Sequence, residues 1–112
     1  MKIISDAGRF TPPAGQDGSH WIEHLRAADL SAGTYSVPRG GVDDQEPHTE
    51  DEIYVVTAGR AVLRAGDGTA PVGPGSVIYV AAGEEHRFTD VTQDLAAFVL
   101  FAPAEGARSQ AG

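Results

Sequence analysis

Glycine and proline recur between short apolar runs along nearly the whole chain, and this cadence limits the fold more than any other feature. The sequence of 112 residues holds 14 Gly and 7 Pro. Helical periodicity is nearly absent between them. Because Gly and Pro end strands and form turns, the pattern predicts an all-β protein, a barrel or sandwich of short antiparallel strands.

The chain is expected to form a single domain over residues 1–112. A chain of this length buries roughly 65% of its unfolded surface and can fold on a hydrophobic core alone. About residues 1–18 are expected to form an N-terminal strand and loop. A hairpin is predicted at Gly59, where a positive φ would be tolerated. The small polar residues at about 104–112 predict a disordered tail. The predicted strands are 20–26, 30–37, 52–56, 60–65, 76–80, 86–89 and 95–101.

Charge and composition limit the partners. Sixteen acidic against eight basic residues give a net charge of -8, which opposes binding to a phosphate backbone, so no nucleic-acid partner is expected. The apolar run at the N-terminus is too short for a signal peptide, and no later stretch is long enough to span a bilayer. We therefore expect a cytoplasmic protein with no membrane partner. Because the chain has no Cys, any metal would be held by His and carboxylates.

Two segments carry possible metal ligands at regular spacings. The first reads G-x5-E-x-H-x3-E-x6-G and consists of Gly40, Glu46, His48, Glu52 and Gly59. The second reads G-x5-A-x-G-x2-H-x3-D and consists of Gly75, Ala81, Gly83, His86 and Asp90. Either segment alone would be weak evidence for a metal site. The two segments together, in this order and at this separation, are strong evidence.

The pair of segments resembles the signature of the cupin superfamily, G-x5-H-x-H-x3,4-E-x6-G followed by G-x5-P-x-G-x2-H-x3-N. The resemblance implies a small single-domain cupin with a double-stranded β-helix (jelly-roll) barrel. It also implies a divalent transition metal (Fe, Mn, Ni, Zn or Cu) held by His48, Glu52 and His86. The chain departs from the signature at Glu46, Ala81 and Asp90, and only Glu46 stands at a ligand position.

Two residues compete for that first ligand position. Glu46, His48 and Glu52 share one face of a regular strand, yet four residues of extended chain span roughly 13 Å. His48 and Glu52 can therefore converge only if the chain bends between them, and such a bend could bring in Gln45 instead. Glu46 is favoured because a carboxylate is the better ligand and its spacing matches the family register. The alternative to a metal site is that His48 and His86 are polar residues of the barrel that are hydrogen-bonded without metal.

Three functions remain open. The first is a metal-dependent enzyme acting on a small molecule, such as a dioxygenase, an isomerase or a lyase, with Glu46 or Tyr54 as a proton-transfer group. The second is a module that binds a small metabolite or sugar in the barrel without turnover, and the third is a metal-free barrel. A homodimer is expected, because edge strands invite pairing and the resembled family commonly dimerises. Candidate contact residues are Trp21, Leu25, Phe98 and Leu100.

Overall fold

The fold is all-β, as the sequence predicts. The computed structural model describes residues 1–14, 18–66 and 68–108. Its strands are β1 (His20–Arg26), β2 (Ser31–Val37), β3 (Asp51–Ala65), β4 (Gly68–Val72), β5 (Val77–Val80) and β6 (His86–Ala102). Residues 1–14, where an N-terminal strand is expected, contain no strand. Part of the loop expected within residues 1–18 falls outside the described residues, at 15–17, and residue 67 falls outside them as well.

All six strands belong to one open antiparallel sheet. Its order is β1-β2-β6-β3-β4, with β5 paired to β3. The long strands β3 and β6 pair from Asp51 opposite Ala102 to Ala65 opposite His86. An open sheet built around two long, irregular strands is consistent with a jelly roll, because bulges let each long strand bend and serve two parts of the barrel.

The hairpin predicted at Gly59 is wrong, because the chain passes through this residue as part of β3. The pairing of β3 with β6 shifts register between Val56 and Val62. Gly59 has a φ of 86°, and a Cβ there would lie 2.2 Å from the carbonyl oxygen of Asp94. Glycine is therefore needed for a bulge against the partner backbone rather than for a turn.

Alternation along β3 gives the barrel its interior. Glu52, Tyr54 and Val56 are buried, whereas Ile53 between them is exposed and Val55 is half-buried. Since successive side chains of a strand point to opposite faces, the same inward row carries candidate site residues and core residues. The core continues through Tyr35, Val37, Leu63, Phe88, Leu95, Val99 and Phe101.

The segment after β6 packs against the barrel, although its composition predicts a disordered tail. Ala104 is buried. The backbone N–H groups of Gly106 and Arg108 donate to the Glu50 carboxylate at 2.8 and 3.1 Å. We call residues 103–108 the C-terminal latch. Its attachment depends on acceptors that are distant in the sequence, which local composition does not reveal; residues 109–112 lie outside the described part of the chain.

Candidate functional site

A cavity of about 200 Å³ opens at one end of the barrel. Its apolar walls include Trp21, Val99 and Phe101. Its polar lining is Ser19, Tyr35, Gln45, His48, Glu52, Tyr54 and Glu105. The first motif, the N-terminal strands and the C-terminal latch thus contribute to one cavity.

Gly33 makes room for the Trp21 wall. Strands β1 and β2 pair with Trp21 opposite Tyr35, which puts the indole close to Gly33. A Cβ at Gly33 would lie 2.5 Å from Cη2 of Trp21 and 2.3 Å from the carbonyl oxygen of Ile22. Only glycine lets the indole cover the strand, where its ring meets Phe101 edge to face at 5.9 Å.

His86 and Glu52 form a buried pair beside the cavity, in which Glu52 lines the cavity and His86 lines a second, open hollow. Nε2 of His86 lies 3.2 Å from Oε1 of Glu52, and the two side chains are 1% and 2% exposed. Nδ1 of His86 donates to the carbonyl oxygen of Glu84 at 2.8 Å. Because a carbonyl can only accept, this bond fixes the proton of a neutral ring on Nδ1 and leaves a lone pair on Nε2. Metal-binding histidines are held in the same way.

Glu52 has a buried oxygen without a hydrogen-bond partner. Among the described residues, Oε1 finds no donor with hydrogen-bond geometry, even though His86 is close. A buried, unpaired carboxylate oxygen is unfavourable by several kcal/mol or must be neutralised. A cation between the two atoms, either a proton on Nε2 or a metal ion, would remove this cost. In donor type, the pair suits a divalent metal.

The pKa of His86 reflects this pair. Burial lowers the pKa, but the interactions with Glu52 and with the Glu84 carbonyl outweigh burial, and the net result lies above the ordinary value of 6.5. The protonated ring is thus stabilised by the same groups that would favour a metal ion.

His48 lies across the cavity from this pair. Its ring centroid is 6.4 Å from that of His86 and 4.6 Å from that of Phe101. Its Nε2 lies 3.3 Å from Oε1 of Gln45, and its Nδ1 lies 3.4 Å from Oε2 of Glu105. Within residues 1–14, 18–66 and 68–108, no three His, Asp or Glu side chains stand in an arrangement that could hold a metal ion.

Gln45, rather than Glu46, contacts His48. The Gln45 amide also donates to the Tyr54 hydroxyl at 2.9 Å and to Oδ2 of Asp43 at 3.2 Å. Glu46 is exposed and lines a second, open hollow to which His86 and Gln45 also contribute. Strand alternation, which would put Glu46 on the same face as His48, does not operate here because β3 begins only at Asp51.

Tyr54 links the two halves of the site. Its hydroxyl lies 3.0 Å from Nε2 of His86 and accepts from Gln45, so a hydrogen-bonded chain runs from His48 through Gln45 and Tyr54 to His86. Burial, and next the charge of Glu52, raise the pKa of Tyr54 well above its ordinary value. Tyr54 is therefore a protonated hydrogen-bond donor at neutral pH.

Asp43 is a site residue that sequence reasoning missed. Its carboxylate is buried and accepts from the Tyr35 hydroxyl and from the backbone N–H of Phe88 at 2.8 Å. Burial, followed by the charge of Asp43, raises the pKa of Tyr35. Asp43 holds Gln45 and Tyr35 in place, yet it stands among exposed acidic residues, and no local pattern sets it apart.

Comparisons with known proteins agree with this architecture. The family model described as the cupin domain matches residues 33–102. An uncharacterised protein of Streptomyces coelicolor, SCO3923, is 41% identical over 92 residues, which cover 82% of this chain and 87% of that protein.

Two solved structures have the same fold. An uncharacterised conserved protein with a double-stranded β-helix domain from Klebsiella pneumoniae gives a TM-score of 0.76 at 16% identity, covering 92% of this chain and 90% of that one. An RmlC-like cupin family protein from Methanocaldococcus jannaschii gives 0.68 at 15% identity, covering 91% and 87%.

The chain belongs to the cupin family, and the predicted double-stranded β-helix is confirmed. At these identities, the solved structures show the fold alone. No helix in the described part of the chain is long and apolar enough to cross a membrane.

Proposed function

We propose that this cupin binds a small molecule in the cavity, beside a divalent transition-metal ion that His86 and Glu52 hold, with His48 turning toward the ion as the third ligand and Gln45 in the fourth position. The observation that supports the metal most strongly is the unpartnered, buried Oε1 of Glu52 beside the lone pair of His86. Two imidazoles and one carboxylate form a donor set that suits Fe, Mn, Ni, Zn or Cu.

The ion would act as a Lewis acid or as a site for O₂. The chain's own residues would do the rest. Tyr54 would donate a proton or a hydrogen bond to an oxygen atom of the small-molecule ligand, while Gln45 would orient His48 and Tyr54. The walls formed by Trp21 and Phe101 would exclude water. The cavity volume of about 200 Å³ favours a ligand of few atoms. An oxygenase or isomerase reaction is consistent with this arrangement, with Tyr54 better placed for proton transfer than the exposed Glu46.

A second candidate is a metal-free binding module. The hydrogen-bonded chain from His48 through Gln45 and Tyr54 to His86 favours it, because each member already has a partner. In this case a proton on His86 would neutralise Glu52. The cavity would then bind a metabolite without turning it over.

The fold offers a candidate interface for the expected homodimer. Ile53 is paired with Tyr79 on one side and Leu100 on the other, and Val55 is paired likewise with Val77 and Phe98. Cross-strand partners share a face, and this face is opposite to that of the buried Glu52 and Tyr54. The proposed interface with a second copy is the outer face formed by Ile53, Val55, Val77, Tyr79, Phe98 and Leu100. Trp21 lines the cavity instead.

Reconstitution tests the proposed function. The protein would be stripped with a chelator and loaded separately with each of the five metals. We would then measure bound metal by elemental analysis, the midpoint of thermal unfolding, and O₂ uptake with candidate substrates. At least one ion should bind stoichiometrically and raise the midpoint, because a ligand that binds only the folded state stabilises it. If no ion binds or shifts the midpoint, the metal-free module is favoured.

A matched pair of variants tests the fourth position. Gln45→Ala should weaken metal binding by about 10- to 100-fold, the range observed when groups that orient or support metal ligands are removed. Glu46→Ala should leave the affinity unchanged, because Glu46 is exposed. The reverse result would return the fourth position to Glu46.

A further inference from the structure

The ionisable side chains that line the cavity include acidic residues but no Lys or Arg among the described residues. The acidic residues among them are Glu52 and Glu105. Glu52 is nearly fully buried and has an oxygen without a hydrogen-bond partner among the described residues. A ligand carboxylate or phosphate placed against both glutamates would be repelled, whereas a cation would be attracted.

The position of Glu105 is built into the fold. Its backbone N–H donates to Oγ of the buried Ser31 at 2.9 Å. The next residues of the latch are fixed by Glu50, which is 1% exposed and accepts from Gly106 and Arg108. Glu105 is therefore held at the cavity by its own backbone bond to Ser31 and by the bonds of Gly106 and Arg108 to Glu50. It also lies outside residues 33–102, which the cupin model matches.

The other walls suit an organic cation. Trp21, Tyr35 and Phe101 line the cavity, and aromatic faces attract ammonium groups, Trp most strongly. His48 approaches Glu105 at 3.4 Å, which is longer than an ordinary hydrogen bond. A ligand ammonium can therefore compete for the Glu105 carboxylate.

We propose that the cavity selects small ligands that carry a protonated amine, and that Glu105 is the residue that pairs with the amine. The inference rests on the proposed binding of a small molecule in this cavity, but it does not depend on the metal. Selectivity follows from the charge of Glu105, which pairs with the amine, together with the absence of Lys and Arg among the described residues of the lining.

Three matched three-carbon ligands test the proposal: propylammonium, 1-propanol and propanoate. The chain has one Trp, so tryptophan fluorescence reports directly on the Trp21 wall. Titrations would be run near pH 8, where an ordinary histidine is neutral, at an ionic strength of about 0.15 M. Both chelator-treated and Zn-loaded protein would be used. Ligands this small bind weakly, so the titrations would extend far into the millimolar range.

Propylammonium should bind about tenfold or more tightly than 1-propanol, as expected for a charge-assisted hydrogen bond over a neutral one. Propanoate should bind most weakly. Glu105→Gln keeps the shape of the side chain and should abolish the preference for the amine over the alcohol. The control, Glu85→Gln, changes an exposed carboxylate of the separate hollow and should preserve the preference.

Equal binding of all three ligands would overturn the amine selectivity while leaving small-molecule binding intact. An unchanged amine preference in Glu105→Gln would overturn the role of Glu105. If none of the three binds to either form of the protein, both this inference and small-molecule binding in the cavity would be rejected.

Discussion

Oε1 of Glu52 and Nε2 of His86 lie 3.2 Å apart, and both side chains are buried. The hydrogen bond from Nδ1 of His86 to Glu84 means that a neutral ring turns a lone pair toward a carboxylate oxygen. Two electron-rich atoms this close in the interior are unfavourable, and a cation between them would relieve the cost. A proton and a metal ion can each do this, and they respond oppositely to pH.

The stability of chelator-treated protein should fall as the pH rises above about 6.5. His86 has a raised pKa in the folded state, so its protonation stabilises the fold fully below the unfolded pKa. That contribution is lost as the pH passes through the folded pKa. Urea unfolding followed by circular dichroism in the presence of chelator, from slightly acid to slightly alkaline pH, would measure the loss. Metal affinity should rise over the same interval, because the ligand must be deprotonated.

The variant His86→Gln isolates this residue from the other histidines. Subtracting its unfolding free energy from that of the unchanged chain should leave a difference that decreases with rising pH. A difference that is constant, or that increases, would mean that Glu52 does not stabilise a proton on His86.

Loss of the Glu50 carboxylate should release the C-terminal latch. Glu50→Gln leaves a donor facing backbone N–H groups, so we expect the free energy of unfolding to fall by about 1–3 kcal/mol at neutral pH. Burial raises the pKa of Glu50, but the hydrogen bonds from Thr49, Gly106 and Arg108 outweigh burial and lower it overall. The carboxylate's contribution to the free energy of unfolding is therefore present above the pKa that Glu50 has in the unfolded chain. It is lost as the pH falls through the lower pKa of the folded state.

Urea unfolding at neutral and at acid pH would measure both effects. Glu85→Gln serves as the control because Glu85 is exposed and should change stability little. If Glu50→Gln were as stable as this control at neutral pH, the latch would not be held by Glu50.

Gly33→Ala should displace Trp21. A methyl group at Gly33 would collide with the indole and with the backbone of Ile22, and overpacking of this kind destabilises by about 1–3 kcal/mol. Urea unfolding would measure the loss, and the fluorescence emission of the single Trp should shift to longer wavelength as the ring becomes exposed to water. Gly66→Ala is the matched control, since a Cβ there meets no atom within 4 Å. An unshifted emission in Gly33→Ala would mean that Trp21 does not cover this glycine.

The outer face should mediate dimerisation. Val77 and Tyr79 are 67% and 63% exposed, and a Lys at either position would place a charge in a desolvated contact. Sedimentation velocity should show a dimer for the unchanged chain and a monomer for Tyr79→Lys. Val42→Lys changes another exposed apolar residue, in the loop before β3, and should remain dimeric. A monomeric unchanged chain would reject the interface.

The sequence predicts those parts of the site that lie on regular strands. His86 begins β6 and Glu52 lies near the start of β3, so motif spacing and alternation both apply to them, and the structure brings them together. Gln45 and Glu46 lie in a loop without strand pairing, so the alternation of side chains along a strand does not apply to them. The direction of each side chain depends instead on contacts such as those of Asp43.

The remaining features depend on contacts between distant parts of the chain. Glu105 bonds to Ser31 across 74 residues, and the neighbouring Gly106 and Arg108 bond to Glu50 across 56 and 58 residues. The composition near Glu105 gives no indication of these contacts. The pairs of short strands predicted on either side of Gly59 and before Leu95 are continuous in β3 and β6. A bulge and a turn can both require a residue that tolerates a positive φ, so a glycine in the sequence does not distinguish between them.

The most direct test of the account is the metal content of three proteins loaded with the same ion and dialysed together: the unchanged chain, His86→Ala and His24→Ala. His24 hydrogen-bonds to Thr34 at 2.7 Å and is not among the described residues that line the cavity. The account predicts close to one ion per chain in the unchanged protein and in His24→Ala, and none in His86→Ala. Equal metal content in all three proteins, or equal losses in both variants, would contradict a metal site at His86 and Glu52.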